Sequence, residues 1–523
     1  MLHRSSQAGR PRLRAAVALS AVLAFGLGAC GSDSDAAGGD KTPEELVVGL
    51  SALPIGVDPV QYNDSETQMV YRLVNEPLFR YTGPGEISPL LAEKMPEVSE
   101  DGKTWTIQLK KGVEFTNGDP FNADDVIHTF ETILDTDNGS YNRSALVALD
   151  KVEAVDEHTI KLTLSYAFSP LLYQLTRLAI VSDTIPYEQG KTYATTLVGT
   201  GPYKLDSVKR GQEIKLVANE NFREEGVPTI PAIMVKAYPD SNSQLTALKT
   251  GEVHVLPQVQ PAAVDTIKKF ATIHQSDSKL VSTRFWFWPN QGDGLMKDQN
   301  LRKAVTLAID RGRVVDNTLR GYGVPISTIP SAYDDGDLFM SPLAQAYGRD
   351  AQIDEAKKLV EAAGATGKEL HMVVPDGPTI PAVADSVQQQ LEEVGFKVKR
   401  EDLTQAAALD RIFNNNYDLY LNGNTSAAED SGLDGAFGLY GIGGAYNLNG
   451  VNDKELDKLV RESVEALTPE AAVDVVEKMR QRQLEYVPDM PIAIGYDLTA
   501  LAKGLDGFEI NNFGDFYGFA YMK

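Results

Sequence analysis

Leu91-Ala-Glu-Lys-Met-Pro-Glu-Val-Ser-Glu-Asp-Gly-Lys-Thr-Trp-Thr-Ile-Gln-Leu-Lys-Lys-Gly-Val-Glu-Phe-Thr-Asn-Gly-Asp-Pro-Phe-Asn-Ala-Asp-Asp-Val126 is the stretch on which the fold assignment turns. Within it Trp105, Ile107 and Leu109 alternate with Thr104, Thr106, Gln108 and Lys110, the period of a half-buried strand. Asn122 then stands before Ala123-Asp-Asp125, a helix start with a side-chain cap and acids in the first turn. Strand, turn and capped helix follow one another within 36 residues, which points to a mixed α/β architecture.

The same grammar continues outward. Val152 to Leu164 reads as a hairpin turning near Asp156–His158, and Tyr203-Lys-Leu205 with Ile214-Lys-Leu216 as a second, around Lys209-Arg-Gly211. Gly199 and Gly201 suit tight turns, with Pro202 stiffening one. The back half is richer in helix. Leu301, Ala304, Val305, Ala308 and Ile309 share a face behind Asp298 as cap; Ile353, Ala356, Leu359, Val360 and Ala363 share another, closed by Gly364. Val383, Val387, Leu391 and Val394 repeat the pattern before Gly395 and a strand at Phe396-Lys-Val398. Leu456, Leu459, Val460 and Val464 form a further face, and Thr468-Pro469 opens the next helix.

At the front, Arg4, Arg10, Arg12 and Arg14 precede an apolar run from Ala15 to Gly28 and then Ala29-Cys30-Gly31. A basic segment and a short apolar core have the shape of a secretory signal, and roughly 20 apolar residues would be needed to span a bilayer. Leu27-Gly28-Ala29-Cys30 resembles the bacterial lipobox, so residues 1–29 are expected to be a cleaved leader and Cys30 the lipid attachment site. Residues 30–44 are a polar, glycine-rich tether. With one cysteine in the chain no internal disulfide can form, so stability rests on core burial. The 494 residues from 30 to 523 exceed what one core serves, and two or three lobes are expected. Loss of the four leader arginines takes the formal charge from −24 to −28, which disfavours nucleic acid and anionic membrane faces as partners.

Residues for catalysis are scarce. His3, His128, His158, His254, His274 and His371 are scattered and none has metalloprotease spacing. Cys-x-x-Cys sites, a Gly-x-Ser-x-Gly elbow and a phosphate-binding Gly-Lys loop are all absent, and Gly441-Ile-Gly-Gly444 would need a third glycine where Tyr446 stands. With 73 carboxylates, close acidic pairs carry little information. No metal and no cofactor is expected.

Taken together, several blocks resemble the extracellular solute-binding proteins of family 5, which feed peptide and nickel ABC importers. The quoted stretch carries most of the likeness. Asn75-Glu-Pro-Leu78, Gly199-Thr-Gly-Pro-Tyr203 with Asn219-Glu-Asn-Phe222, Leu248-Lys-Thr-Gly-Glu-Val253, and Asp298 to Asp310 lie in the same order, so it runs from about Leu46 to the C-terminus. The resemblance implies a periplasmic-binding-protein-like fold, type II, cluster C, with three lobes. Lobe one would comprise 45–80, 198–283 and 492–523, lobe two 81–197, and lobe three 284–491, joined at crossings near Thr283 and Pro491. A ligand would lie between lobes one and three. It further implies a monomeric, extracytoplasmic protein, held to the outer face of the cytoplasmic membrane or in the periplasmic space. Such a protein catalyses nothing and delivers a small solute, foremost a peptide, to a membrane permease.

The resemblance also suggests contacts. Tyr141 matches a family tyrosine facing the cleft, and the Asn63-Asp64-Ser65 loop is a further candidate. Peptide-binding relatives follow a strand like Tyr417 to Leu421 with Gly-Trp-x-x-Asp, whose aspartate pairs with the ligand amine. Here Asn424 stands at the tryptophan and Ala427 at the aspartate, and Glu429 or Asp430 could serve from a longer loop. Trp286 and Trp288 share one face of a strand, either as core or as an aromatic platform for a sugar or apolar side chain. A receptor for an oligosaccharide or a nickel chelate is the alternative reading.

Overall fold

A computed structural model describes residues 43–523, apart from 55, 63–64, 84–85, 194–195, 277–281, 329–342, 344–345, 378, 427–433, 443, 445–446 and 509–515. Thr104–Gln108 is a strand with Trp105 and Ile107 buried, and it lies second in an antiparallel sheet ordered 97–98, 104–108, 159–164, 149–156. Ala123–Leu134 is the helix that follows. Asn122 Oδ1 accepts from the Asp124 N–H at 2.7 Å, and the Asp125 carboxylate accepts from the Asn122 N–H at 2.8 Å, a capping box with aspartate in place of the usual glutamate.

A seven-stranded mixed sheet is ordered 271–275, 498–502, 255–256, 45–50, 232–237, 213–218, 203–209. Glu45–Leu50 lies at its centre, parallel to both neighbours. Buried on both faces, it is apolar from Leu46 to Leu50, as parallel strands require. A six-stranded sheet is ordered 323–325, 490–496, 282–289, 419–426, 369–375, 397–403. The helices Gln299–Ala308, Ile353–Ala362 and Ile380–Glu393 supply Leu301, Val305, Val360, Val387 and Leu391 to a core that also holds Phe285 and Phe287.

The chain passes from one of these sheets to the other after Gln275 and returns between Tyr496 and Leu498. Thr283 lies inside the six-stranded sheet opposite Gly495, and so does Pro491, opposite Trp286. The register slips there, Phe285 facing Ala493 while Trp286 faces Pro491, so Ile492 is the extra residue of a bulge. A bulge is where a strand tolerates proline, which has no N–H to give the ladder.

Gly199 and Gly201 serve close approach rather than the tight turns read from sequence. Their backbone runs against residues 73–75, with the Gly201 N–H donating to Val74 O at 2.8 Å and the Tyr203 N–H to Leu73 O at 3.0 Å. A Cβ on Gly199 would stand 2.0 Å from the Val74 carbonyl oxygen. Next to this crossing the fully buried Glu76 accepts from Thr200, from Tyr517 and, twice, from Arg223, which ties three distant stretches of chain together.

Candidate functional site

Of the first group of sequence candidates, Tyr141 is placed beside a turn at Asp58. The Asp58 carboxylate accepts the N–H groups of Val60 and Gln61 at 2.9 and 3.2 Å, which folds residues 58–61 into a turn. Burial raises the Asp58 pKa, against those two bonds and one from the Tyr187 hydroxyl. Asn142 Nδ2 donates to Pro59 O at 3.1 Å, and the Tyr141 N–H to Gln61 O at 3.2 Å. Tyr141 is thereby set beside the turn, its ring stacked on Tyr62 at 6.5 Å and 28°, and it stays 62% exposed. An aromatic pair with one exposed and one half-buried ring, held on a buried polar support, can offer an apolar face to a solute. Asn63 and Asp64 lie outside the described residues, and Ser65 opens the helix Ser65–Tyr71.

Of the other candidates, Trp286 and Trp288 lie on the strand Ser282–Pro289 and Asn424 on its neighbour Leu419–Ser426. Alternation sends Phe285 and Phe287 to one face and Arg284, Trp286 and Trp288 to the other. Trp286 is 3% and Trp288 8% exposed, and the rings form an edge-on pair at 6.2 Å, with Tyr420 at 5.7 Å from Trp288. Aromatic packing of this kind fits a core role for both tryptophans, while the buried Trp286 Nε1 has no hydrogen-bond partner among the described residues. Asn424 is opposite Arg284 in the ladder, whereas Ala427, Glu429 and Asp430 lie outside the described residues, just past the strand's end.

Three residues that the sequence reading passed over join this face. The Arg284 guanidinium lies 4.5 Å above the Trp286 ring. Buried Asp489 accepts from the Tyr440 hydroxyl at 2.6 Å. Burial pushes the Asp489 carboxyl up to about 6, although the Tyr440 bond and the nearby Arg284 charge both favour its ionised form. Tyr440 in turn is held well above its ordinary value by burial and by the Asp489 charge. A signal was present: Arg284 shares its parity with Trp286 and Trp288, so a charge lies on the aromatic face of an otherwise apolar strand. Asp489 and Tyr440 are far from it in sequence, and only the fold brings them together.

Among the described residues no group of three or more histidines, cysteines and carboxylates could hold a metal ion, and no helix is long and apolar enough to cross a membrane. Cys30 lies outside them. The arrangement offers aromatic faces, a buried cation and a buried acid, which suits binding and orientation.

Residues 86–438 match the family described as "Bacterial extracellular solute-binding proteins, family 5 Middle". The "Di/tripeptide-binding protein 1" of Pseudomonas aeruginosa is 25% identical over 512 residues, covering 88% of this chain and 91% of the relative. The "Oligopeptide-binding protein AppA" of Bacillus subtilis is 26% identical over 433 residues, 76% of this chain and 77% of that protein. Among solved structures, the periplasmic binding protein AgaA of A. tumefaciens R10, in complex with agropinic acid, superposes with a TM-score of 0.80 at 24% identity over 92% of this chain and 98% of its own. The fold is thus that of the type II periplasmic binding proteins, with mixed α/β sheets.

Proposed function

The chain belongs to the bacterial extracellular solute-binding proteins of family 5, and from that premise we propose that it captures oligopeptides outside the cell and delivers them to an ABC permease. The observation that carries the reading is that relatives aligned along most of the chain are named for binding dipeptides, tripeptides and oligopeptides. The solute leaves unchanged; the protein holds it and does no chemistry on it. We place Cys30 under lipid, with residues 1–29 removed and 30–44 as tether, so that a monomer is held at the membrane near its permease.

Binding rests on closure of two lobes, hinged where the chain crosses between the seven- and six-stranded sheets. The strand Met490–Tyr496 runs wholly in the six-stranded sheet, which favours drawing the boundary of lobe three at Tyr496 rather than 491. Tyr141 with the turn beside Asn63, Asp64 and Ser65 would contribute from one side. The end of the strand Leu419–Ser426, with Asn424 and the loop through Ala427, would contribute from the other. Asp430, ahead of Glu429, is our choice for the acid that pairs with a peptide's free amine.

A second reading has its own support: the structurally similar AgaA is in complex with agropinic acid, which is not a peptide, and the family resemblance, read without a gap, puts Ala427 at the amine-pairing aspartate. Calorimetry with dipeptides and tripeptides on the wild type and on Asp430→Asn separates the two. Removing one member of a buried ion pair costs about 3–5 kcal/mol, so peptide affinity should fall 100-fold or more. Unchanged affinity removes Asp430 from the role, and absence of peptide binding in the wild type moves the non-peptide solute to first place.

A further inference from the structure

Residues 81–197 are inserted between segments that build the seven-stranded sheet, and buried polar contacts fix them to that part of the protein. Asn75 Nδ2 donates to Ile180 O at 3.1 Å, Gln61 Nε2 to Gly139 O at 2.9 Å, and the Ile180 N–H to Glu76 O at 2.9 Å. The same inserted region also reaches the helices that pack beside the six-stranded sheet. The helix Lys454–Glu465 leaves its last carbonyls without intrahelical donors, as every helix does. Val464 O receives two donors from outside, the Ser169 N–H at 2.7 Å and the Ser169 hydroxyl at 3.1 Å. Beyond that helix end, Leu467 lies so close to Gly102 that a Cβ there would stand 2.5 Å from Leu467 Cδ2 and 3.0 Å from the Ala167 methyl. Tyr166 completes the contact, its hydroxyl within the fields of Arg461 and Glu465.

We propose that Ser169, Gly102 and Ala167 on the inserted region and Val464 and Leu467 on the helix end form a clasp. The clasp fastens the two halves of the protein to each other away from the chain crossings, and opening the cleft requires its release. This rests on the two-lobe reading given above. The physical grounds are that the inserted region is bonded to one half by several buried side chain–backbone contacts, whereas it meets the helix Lys454–Glu465 through Ser169 at Val464 O, at a helix end next to Leu467, which is 43% exposed.

The test uses the full-length protein without added solute, so its outcome is separate from whether peptides bind. Hydrogen exchange at the Ser169 amide and small-angle scattering are measured on the wild type, on Leu467→Asp and, in case a charge unfolds the loop, on Leu467→Ala. The expected result is a protected Ser169 amide in the wild type. In the variants its exchange should rise about tenfold or more, with a longer maximum dimension and an unchanged melting temperature. Wild-type values of both readouts in both variants would overturn the clasp. So would faster exchange at Ser169 with no change of dimension, because the inserted region would then ride with the helices rather than hold them.

Discussion

Ser276 and Asp497 exchange two hydrogen bonds at the point where the chain leaves one large sheet and later returns to it. The Ser276 N–H donates to Asp497 O at 2.8 Å and the Asp497 N–H donates to Ser276 Oγ at 2.9 Å. The two crossings are therefore tied to one another, and under the proposed closure they should bend as a unit. Ser276→Ala keeps the first bond and deletes the acceptor of the second, a loss of about 1 kcal/mol at a half-buried amide. Exchange at the Asp497 amide should then quicken several-fold, while amides of the strand Glu45–Leu50 keep wild-type protection. Equal acceleration in both places would mean that the serine supports the whole fold rather than the hinge.

Arg223 and Glu76 make the other decisive pair. The guanidinium donates to the carboxylate at 2.6 and 2.8 Å, and Glu76 is fully buried with Thr200 and Tyr517 as further donors. Arg223→Ala leaves that charge without its cation and should cost about 3–5 kcal/mol in urea unfolding. The double variant Arg223→Met with Glu76→Gln should recover much of the loss, because neither remaining group carries charge. A double variant as unstable as Arg223→Ala alone would contradict this assignment.

Asp125 predicts a pH dependence of stability. Burial, aided by the Asp183 carboxylate, pushes its carboxyl up to about 7, against 3.8 for an ordinary aspartate. The folded protein therefore binds more protons than the unfolded chain between about pH 4 and 7, and stability falls as pH rises through that window. Asp125→Asn keeps an acceptor for the capping N–H, gives up the one that the Asp183 N–H uses, a loss that does not vary with pH, and cannot ionise. The variant should gain on the wild type between pH 5 and pH 8 by on the order of 1–3 kcal/mol, read from urea midpoints at each pH. Parallel pH profiles would show that this carboxyl ionises without penalty.

Much of the fold was legible because its signals are local. Asn122, Asp298 and Thr468 cap the helices expected of them, Gly364 and Gly395 take positive φ at helix ends, and the hairpin turning near Asp156–His158 has strands Leu149–Asp156 and Thr159–Leu164. Gly199 looked like a turn residue because a lone sequence does not show the Val74 carbonyl that excludes a side chain. The site was legible only in part. Tyr141, stacked on Tyr62, could be named from motifs, yet the Tyr440–Asp489 bond joins residues 49 apart and has no periodic signature. Glu76 was visible within Asn75-Glu-Pro-Leu78, but its partners Arg223 and Tyr517 are set by the sheet topology.

The central claim, that the cleft takes peptides, is tested most directly by mass spectrometry of the solute released on denaturing protein purified gently from its own host. The account predicts short peptides, with sequence diversity and close to one per protein molecule. Release of a single non-peptide compound at that stoichiometry, such as an oligosaccharide or a nickel chelate, would contradict it.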